Sequence, residues 1–391
     1  MSFSVVHTAD LHLDRNFSYL SDDKAYARKE DLLNAFHQIV DFVLENKVDA
    51  LLISGDTFDK VLPRNPAKVD FVQKIREIKE NGTNIFIIGG NHDVPKGSKH
   101  GIMAVEILSA AGLANVFGGC DAENVSFKTI VKNNEKLNIH GLSFNPFLLP
   151  ETVITPKINF QEGYNVLMIH GDLEGINSNE KENMFDNPIK SSFVEQANLD
   201  YLALGHYHNF AEKEYDGTIA CYSGSSEKMT FNEENDKKCF VHLEIDNSGV
   251  DYEKIPLKIR DIKTLNVQVD DSIENIDQMI KNKVSFNNFN PELILRLKLR
   301  GNIRYDTYNT LHKAKLYDEY IKNYFWFIIE DELELDNDEL NKLDKLDNNP
   351  YTLFESRMNE KIEKLYGSDK EKHEKALELG LNVLSQVNEE N

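Results

Sequence analysis

The sequence predicts an α/β protein: a β-sandwich flanked by helices, followed by a small α+β domain and C-terminal helices. Three observations predict it. Short apolar runs alternate with amphipathic helical stretches early in the chain and a β-rich stretch follows, the pattern of a layered α/β sandwich. Around Pro256 to Asp261 the pattern changes to a separate mixture of strands and helices. Beyond an acidic stretch, apolar stripes recur at helical spacing.

Taken in order, Phe3 to Thr8 is an apolar strand with Asp10-Leu11-His12 at its end. Asp31 to Glu45 has helical spacing, and Asp49 to Ser54 is a buried strand ending in Gly55-Asp56-Thr57-Phe58-Asp59. Pro66 opens a helix stopped at Asn81-Gly82. Asn84 to Ile88 is a strand that breaks at Gly89-Gly90 and presents Asn91, His92 and Asp93. Gly101 to Ala111 reads as a helix, and strands follow at Val125 to Val131 and Leu137 to Leu142. Val166 to Ile169 ends in His170-Gly171, and Tyr201 to Leu204 ends in Gly205-His206-Tyr207-His208. Strands at Thr218 to Ser223 and Cys239 to Ile245 complete this part. Beyond it, Thr264 to Val269, Leu293 to Leu299 and Trp326 to Ile329 read as strands, with helices at Ile273 to Lys281 and Asp306 to Tyr324. The expected organisation is a first domain over 1–257, an α+β capping domain over 258–330, an acidic linker over 331–349 and a helical segment over 350–391.

Composition narrows the class. A chain of 391 residues, 40% hydrophobic and 28% charged, suggests two or three globular domains. A formal net charge of −22 argues against indiscriminate adhesion to nucleic acid, though not against a locally basic groove. No apolar run reaches membrane-spanning length and Met1-Ser2-Phe3-Ser4 lacks a signal core, so a cytoplasmic location without membrane contact is expected. Cys120, Cys221 and Cys239 are scattered, which argues against a disulfide framework or a thiolate zinc site.

The chemistry gathers at strand ends. Asp10, His12, Asp56, Asn91, His92, Asp93, His170, His206 and His208 each follow a β-rich run, and parallel strand ends share one edge of an open α/β sheet. Asp10-x-His12 and His206-x-His208 are expected to place paired ligands on one side of an extended segment. Oxygen and imidazole donors together suit manganese, iron or zinc. Two such ions about 3.5–4 Å apart suit an in-line phosphoryl displacement, leaving His92 free to act as an acid. His7 lies within a strand and reads as a packed core residue. Asp59 and Asp172 either support the ligands or are polar turn residues. Arg15, Lys60, Arg64, Lys96 and Lys99 lie just past the motifs, where a phosphate backbone can pass, or are simply solvated surface.

The set His7-Thr8-Ala9-Asp10-Leu11-His12-Leu13, Gly55-Asp56-Thr57-Phe58-Asp59, Gly90-Asn91-His92-Asp93, His170-Gly171 and Gly205-His206-Tyr207-His208 resembles the calcineurin-like metallophosphoesterases. With Tyr222-Ser223-Gly224-Ser225-Ser226-Glu227, Phe231, Glu234 and Lys238-Cys239-Phe240, it resembles within them the SbcD family of DNA repair nucleases. That resemblance implies Asp10, His12, Asp56 and His208 on one metal. It implies Asp56, Asn91, His170 and His206 on the second, with Asp56 bridging. His92 would assist the leaving group with Asp93 positioning it, and manganese is the family's usual metal. It also implies DNA as substrate, an SbcC-type coiled-coil ATPase as partner, and a homodimer through helices 66–81 and 101–111. Asp59 stands where the eukaryotic and archaeal branch tends to have histidine. The expected function is a manganese-dependent DNA exonuclease/endonuclease subunit; the alternative is a phosphodiesterase or phosphatase for a small molecule, because fold and metals do not fix substrate.

Overall fold

The structure, a computed structural model, describes residues 2–97, 101–176, 187–286, 289–336, 350–362, 370, 372–377 and 379–381. Lys99, the acidic stretch 337–349 and tail residues 363–369 and 382–391 lie outside the described residues. The chain divides into two compact units, Met1–Lys263 with Glu292–Ile294, and Thr264–Pro291 with Leu295–Asn391.

The first unit opens with β1 (Phe3–Thr8), α1 (Asp22–Asn46), β2 (Ala50–Ser54), α2 (Asn65–Glu80), β3 (Asn84–Ile88), α3 (Glu106–Ala110) and β4 (Asn115–Phe117). It continues with β5 (Ser126–Lys132), β6 (Glu135–Leu142), β7 (Tyr164–His170), α4 (Ser191–Gln196) and β8 (Tyr201–Gly205). Then come β9 (Ala211–Tyr215), β10 (Thr218–Tyr222), β11 (Cys239–Asp246) and β12 (Gly249–Pro256). Two six-stranded sheets result, in the orders β12-β11-β1-β2-β3-β4 and β5-β6-β7-β8-β10-β9. The central pairs β1/β2, β2/β3, β6/β7 and β7/β8 are parallel. Antiparallel β12 and β9 close one edge of each sheet.

Alternation along the strands sorts their side chains. Val5, Leu52, Phe86 and Ile88 face Ile139, Val166, Met168, Tyr201 and Ala203 in the core between the sheets. The intervening Leu51 and Ile53 are equally buried, as strands covered on both faces require. On α1, Leu32, Phe36, Ile39 and Val43 recur at helical spacing and are buried. Asp22 and Asp23 occupy its first turn, where negative charge complements the helix dipole, so the helix starts well before Asp31. Among the described residues no helix is long and apolar enough to cross a membrane.

The second unit holds most of β13 (Ile262–Gln268) and β14 (Asn290–Ile303), together with α5 (Ile276–Phe286), α6 (Tyr305–Asn309), α7 (Lys313–Tyr320), β15 (Tyr324–Leu335) and α8 (Pro350–Ile362). Its sheet runs β13-β14-β15.

Several elements differ from expectation. The acidic stretch from Glu330 is strand, not linker, as far as Leu335. Glu330 and Glu332 pair with Arg296, Lys298 and Arg300 of β14, and these opposite charges across the ladder stabilise the pairing. The expected helix over 101–111 shrinks to Glu106–Ala110. The expected helix over 306–324 splits at 310–312, where Asp277 captures the His312 backbone N–H and side chain at 3.1 and 2.9 Å. Nor are Asp10 and His12 on an extended segment: β1 stops at Thr8, and both residues take left-handed backbone, with φ of 52° and 44°.

Candidate metal centre

Asp10 and His12 follow β1, Asp56 follows β2, and Asn91, His92 and Asp93 follow β3, all in one sheet. His170 ends β7 while His206 and His208 follow β8, in the other. The structure brings these strand ends together across the sandwich. Among the described residues, three groups could hold a cation: Asp10 with His12 and His208, His12 with Asp56 and His92, and Asp10 with Asp56 and His170. Within each, the donor atoms lie within 4.8 Å of one another. Asn91 completes the array, its Oδ1 3.0 Å from His170 Nε2 and 3.3 Å from His206 Nδ1.

Backbone geometry makes the convergence possible. Asp10, His12, Asp56 and His206 all have positive φ, which costs free energy and is tolerated where the surroundings impose it. A Cβ on Gly90 would sit 2.1 Å from Asp56 Oδ1, and one on Gly55 would sit 2.3 Å from His170 Nδ1. Only glycine lets those two turns approach the carboxylate and the imidazole.

Hydrogen bonds aim the donors inward. His170 Nδ1 donates to the Ser54 carbonyl at 2.9 Å, which leaves its Nε2 lone pair facing Asn91 and Asp56. The Asp10 carboxylate accepts the His206 backbone N–H at 3.0 Å. Asp56 Oδ1 accepts the His92 backbone N–H at 2.9 Å, leaving Oδ2 toward His12 and His170 at 3.7 and 3.6 Å. Burial pushes the Asp10 carboxyl up to about 7, with Asp56 adding to it against His208. Burial also acts to raise Asp56, but His170, His12 and His92 outweigh it and hold that carboxyl below its ordinary value. Burial lowers His170 to about 4, so its ring stays neutral. Buried carboxylates and neutral imidazoles converging on one point are the donor chemistry of a divalent-cation site, and the residues present fit one.

Two expectations change in detail. Asp93 is buried, and its carboxylate accepts the backbone N–H groups of Thr57 and Phe58 at 3.0 Å each and of Gly90 at 3.3 Å. It therefore braces the two ligand-bearing turns. His92 Nδ1 donates instead to the Asp59 carbonyl at 3.0 Å. Three of the basic residues are engaged: Arg15 with Asp59 at 2.8 Å, and Lys60 and Arg64 with Asp14 at 3.0 and 2.6 Å. His7 is fully buried, its Nδ1 3.0 Å from the Tyr201 hydroxyl. Both carboxylates expected beside the ligands are there, Asp172 lying 3.8 Å from His206 Nε2, whereas sequence reasoning missed Glu233. Asp59 lies 3.3 Å from His12 Nδ1, and Glu233 3.7 Å from His208 Nδ1.

The family model for calcineurin-like phosphoesterases matches residues 3–210. The chain is 28% identical over 316 residues to the DNA double-strand break repair protein Mre11 of Thermoplasma acidophilum, covering 77% of this chain and 78% of that one. It is 29% identical over 291 residues to the Mre11 of Methanocaldococcus jannaschii, covering 72% and 70%. It is 26% identical over 255 residues to a metallophosphoesterase named YhaO of Bacillus subtilis, covering 63% and 59%. With more than half its length matched and its Asp, Asn and His donors gathered at one edge, the chain belongs to the calcineurin-like phosphoesterase family and is a metal-dependent phosphoester hydrolase.

Proposed function

We propose that this chain is a manganese-dependent DNA nuclease of the SbcD type, acting on DNA ends with a coiled-coil ATPase of the SbcC type. The observation that carries it is the full donor set at the sandwich edge in a chain whose relatives include proteins named for double-strand break repair. In this reading Asp10, His12, Asp56 and His208 hold one ion, and Asp56, Asn91, His170 and His206 the other. Bound divalent ions supply charge neutralisation and water activation for attack at phosphorus. His92, with Nδ1 fixed on the Asp59 carbonyl, holds a proton at Nε2 for the leaving oxygen. Asp93 keeps the Asp56 and Asn91 turns in register through three backbone N–H groups.

Exposed apolar side chains support a homodimer through α2 and the segment around α3. Leu62, Val69, Ile102 and Ile107 are 85%, 54%, 72% and 61% exposed. The tail supports a partner. Gly380 packs so closely on the Phe354 ring of α8 that a Cβ there would lie 2.4 Å from it, so the tail helices pair, while Leu379 beside it is 61% exposed.

The test compares manganese-dependent hydrolysis of linear duplex and single-stranded DNA with that of p-nitrophenyl phosphate and a nucleotide diester. Cleavage of DNA at far lower enzyme concentration supports the nuclease. Hydrolysis of the small esters alone overturns it in favour of a small-molecule phosphodiesterase.

A further inference from the structure

We propose that Glu233 and Lys238 are positioning residues that fix His208 for metal binding, a role that rests on the reading of His208 as a ligand. The segment from Gly224 to Lys238 grips this residue from several directions. Its carbonyl accepts the Ser225 N–H at 2.9 Å and the Lys238 ammonium at 2.9 Å. Its ring Nδ1 faces Glu233 Oε1 at 3.7 Å, while its Nε2 points at His12 Nε2, 3.1 Å away, inside the centre. A Cβ on Gly224 would lie 2.7 Å from the same carbonyl, so the segment lies directly against the His208 backbone.

The charges close on themselves. Lys238 is a buried ammonium whose side chain is 2% exposed, and it pairs with Glu233 Oε2 at 2.7 Å and Asp236 Oδ2 at 3.2 Å. A buried lysine is retained only where its charge is matched, and here the match is the carboxylate that faces the His208 ring. One Glu233 oxygen is occupied by Lys238. The other accepts the Thr230 hydroxyl at 3.2 Å and keeps a lone pair toward the Nδ1 proton of His208, which puts the ring lone pair on Nε2, the atom aimed at the metal.

The consequence is specific. In Glu233→Gln, Lys238 draws the amide oxygen, and the amide N–H turns to His208 Nδ1. The imidazole proton is then driven to Nε2, the coordinating atom. Glu233→Gln/Lys238→Met keeps the local charge balanced and serves if the single variant does not fold.

The full-length chain is titrated with Mn2+ alone by calorimetry, and the His208 tautomer is read from imidazole 15N shifts in the metal-free chain. We expect the parent to bind two ions with Nδ1–H at His208. We expect the folded variants to bind one of the two ions about 10–100-fold more weakly, with the other unchanged. Glu233→Gln should also show the Nε2–H form. Parent affinity for both ions together with an unmoved His208 signal would overturn the clamp. A parent that bound no manganese would overturn the metal reading instead, and the metal-free 15N signal would still decide the clamp.

Discussion

His12 and His208 point their Nε2 atoms at each other across 3.1 Å, while each turns Nδ1 toward a carboxylate, Asp59 at 3.3 Å and Glu233 at 3.7 Å. With protons on both Nδ1 atoms, two lone pairs face each other and repel. A cation between them converts that repulsion into coordination, so the folded chain is expected to gain from binding metal. At a free-ion concentration of about 100 Kd the gain is about 2.7 kcal/mol. Thermal melts should rise with added Mn2+ and fall to the metal-free value with a chelator. In Asp56→Asn, which reduces the charge of the one carboxylate shared by both proposed ligand sets, the manganese-dependent rise should disappear. The far-ultraviolet circular dichroism should remain that of the parent. An Asp56→Asn chain that melted with the parent's manganese dependence and cut DNA normally would remove Asp56 from the centre.

His92 separates binding from chemistry. Its Nδ1 is committed to the Asp59 carbonyl and its backbone N–H to Asp56, so only Nε2 is available for proton transfer. His92→Ala should keep both ions and lose about 10²–10⁴-fold in turnover, the usual worth of a positioned acid. Because His92 also lies within 4.8 Å of His12 and Asp56 donor atoms, metal content must be measured alongside rate. A His92→Ala chain empty of manganese would make it a ligand instead.

How much of this was legible in the sequence depends on the reach of each interaction. The strand-end motifs were readable because a buried strand that stops at glycine and polar residues is a local signal. Parallel pairing accounts for their convergence within each sheet, whereas the meeting of the β1, β2 and β3 ends with the β7 and β8 ends across the sandwich comes from sheet packing that no local pattern encodes. Asp59 was marked by its place in the strand-end motif, but the carboxylate behind His208 was not readable that way. Glu233 meets His208 only because β10 and β11 set the register of the segment between them, and no local pattern encodes that. The partners of Asp93 are hidden for a related reason: neighbours in sequence need not be partners in space, and its oxygens go to the amides of Thr57 and Phe58. The strand over Glu330 to Leu335 was hidden by its charge. The usable signal lay elsewhere in the chain, in the matching alternation of Arg296, Lys298 and Arg300.

His7 ties stability to pH. Burial lowers its pKa from 6.5 to about 3, so the folded chain holds it neutral in the core. A depressed pKa contributes stability that is present above the unfolded value and lost as the pH falls toward the folded one. Between pH 7 and pH 5 the unfolded chain takes up a proton that folded His7 refuses, which costs about 2 kcal/mol. Replacing it in His7→Leu leaves the Tyr201 hydroxyl without this partner at every pH but removes the titration. Urea denaturation at pH 7 and pH 5 should therefore show the parent losing about 2 kcal/mol more than His7→Leu over that interval. Equal losses would mean that His7 is not held neutral.

The tail offers the sharpest division between catalysis and assembly. Phe354 and Ile362 lie on α8, and Leu377, Leu379 and Leu381 on helical residues 372–377 and 379–381. The close approach of Gly380 to Phe354 shows that the two stretches pack on each other. A helix pair of this size has too small a core to account for all of its apolar stripe, and Leu379 remains 61% exposed. Helix-in-groove recognition would cover it, and a coiled coil is a matching surface. None of the proposed metal ligands lies in the unit that contains the tail. Deleting 350–391 should therefore leave two-ion manganese binding and cleavage of single-stranded DNA within about twofold of the parent, since effects of separate sites add. The same deletion should abolish co-purification with the coiled-coil ATPase and the ATP-stimulated cutting of duplex ends. A narrower variant, Leu379→Asp, should weaken the association without touching the metal centre. A truncated chain that captured the ATPase at full strength would show that the tail is not the docking element, and a truncated chain that lost its manganese would show that the two units are coupled.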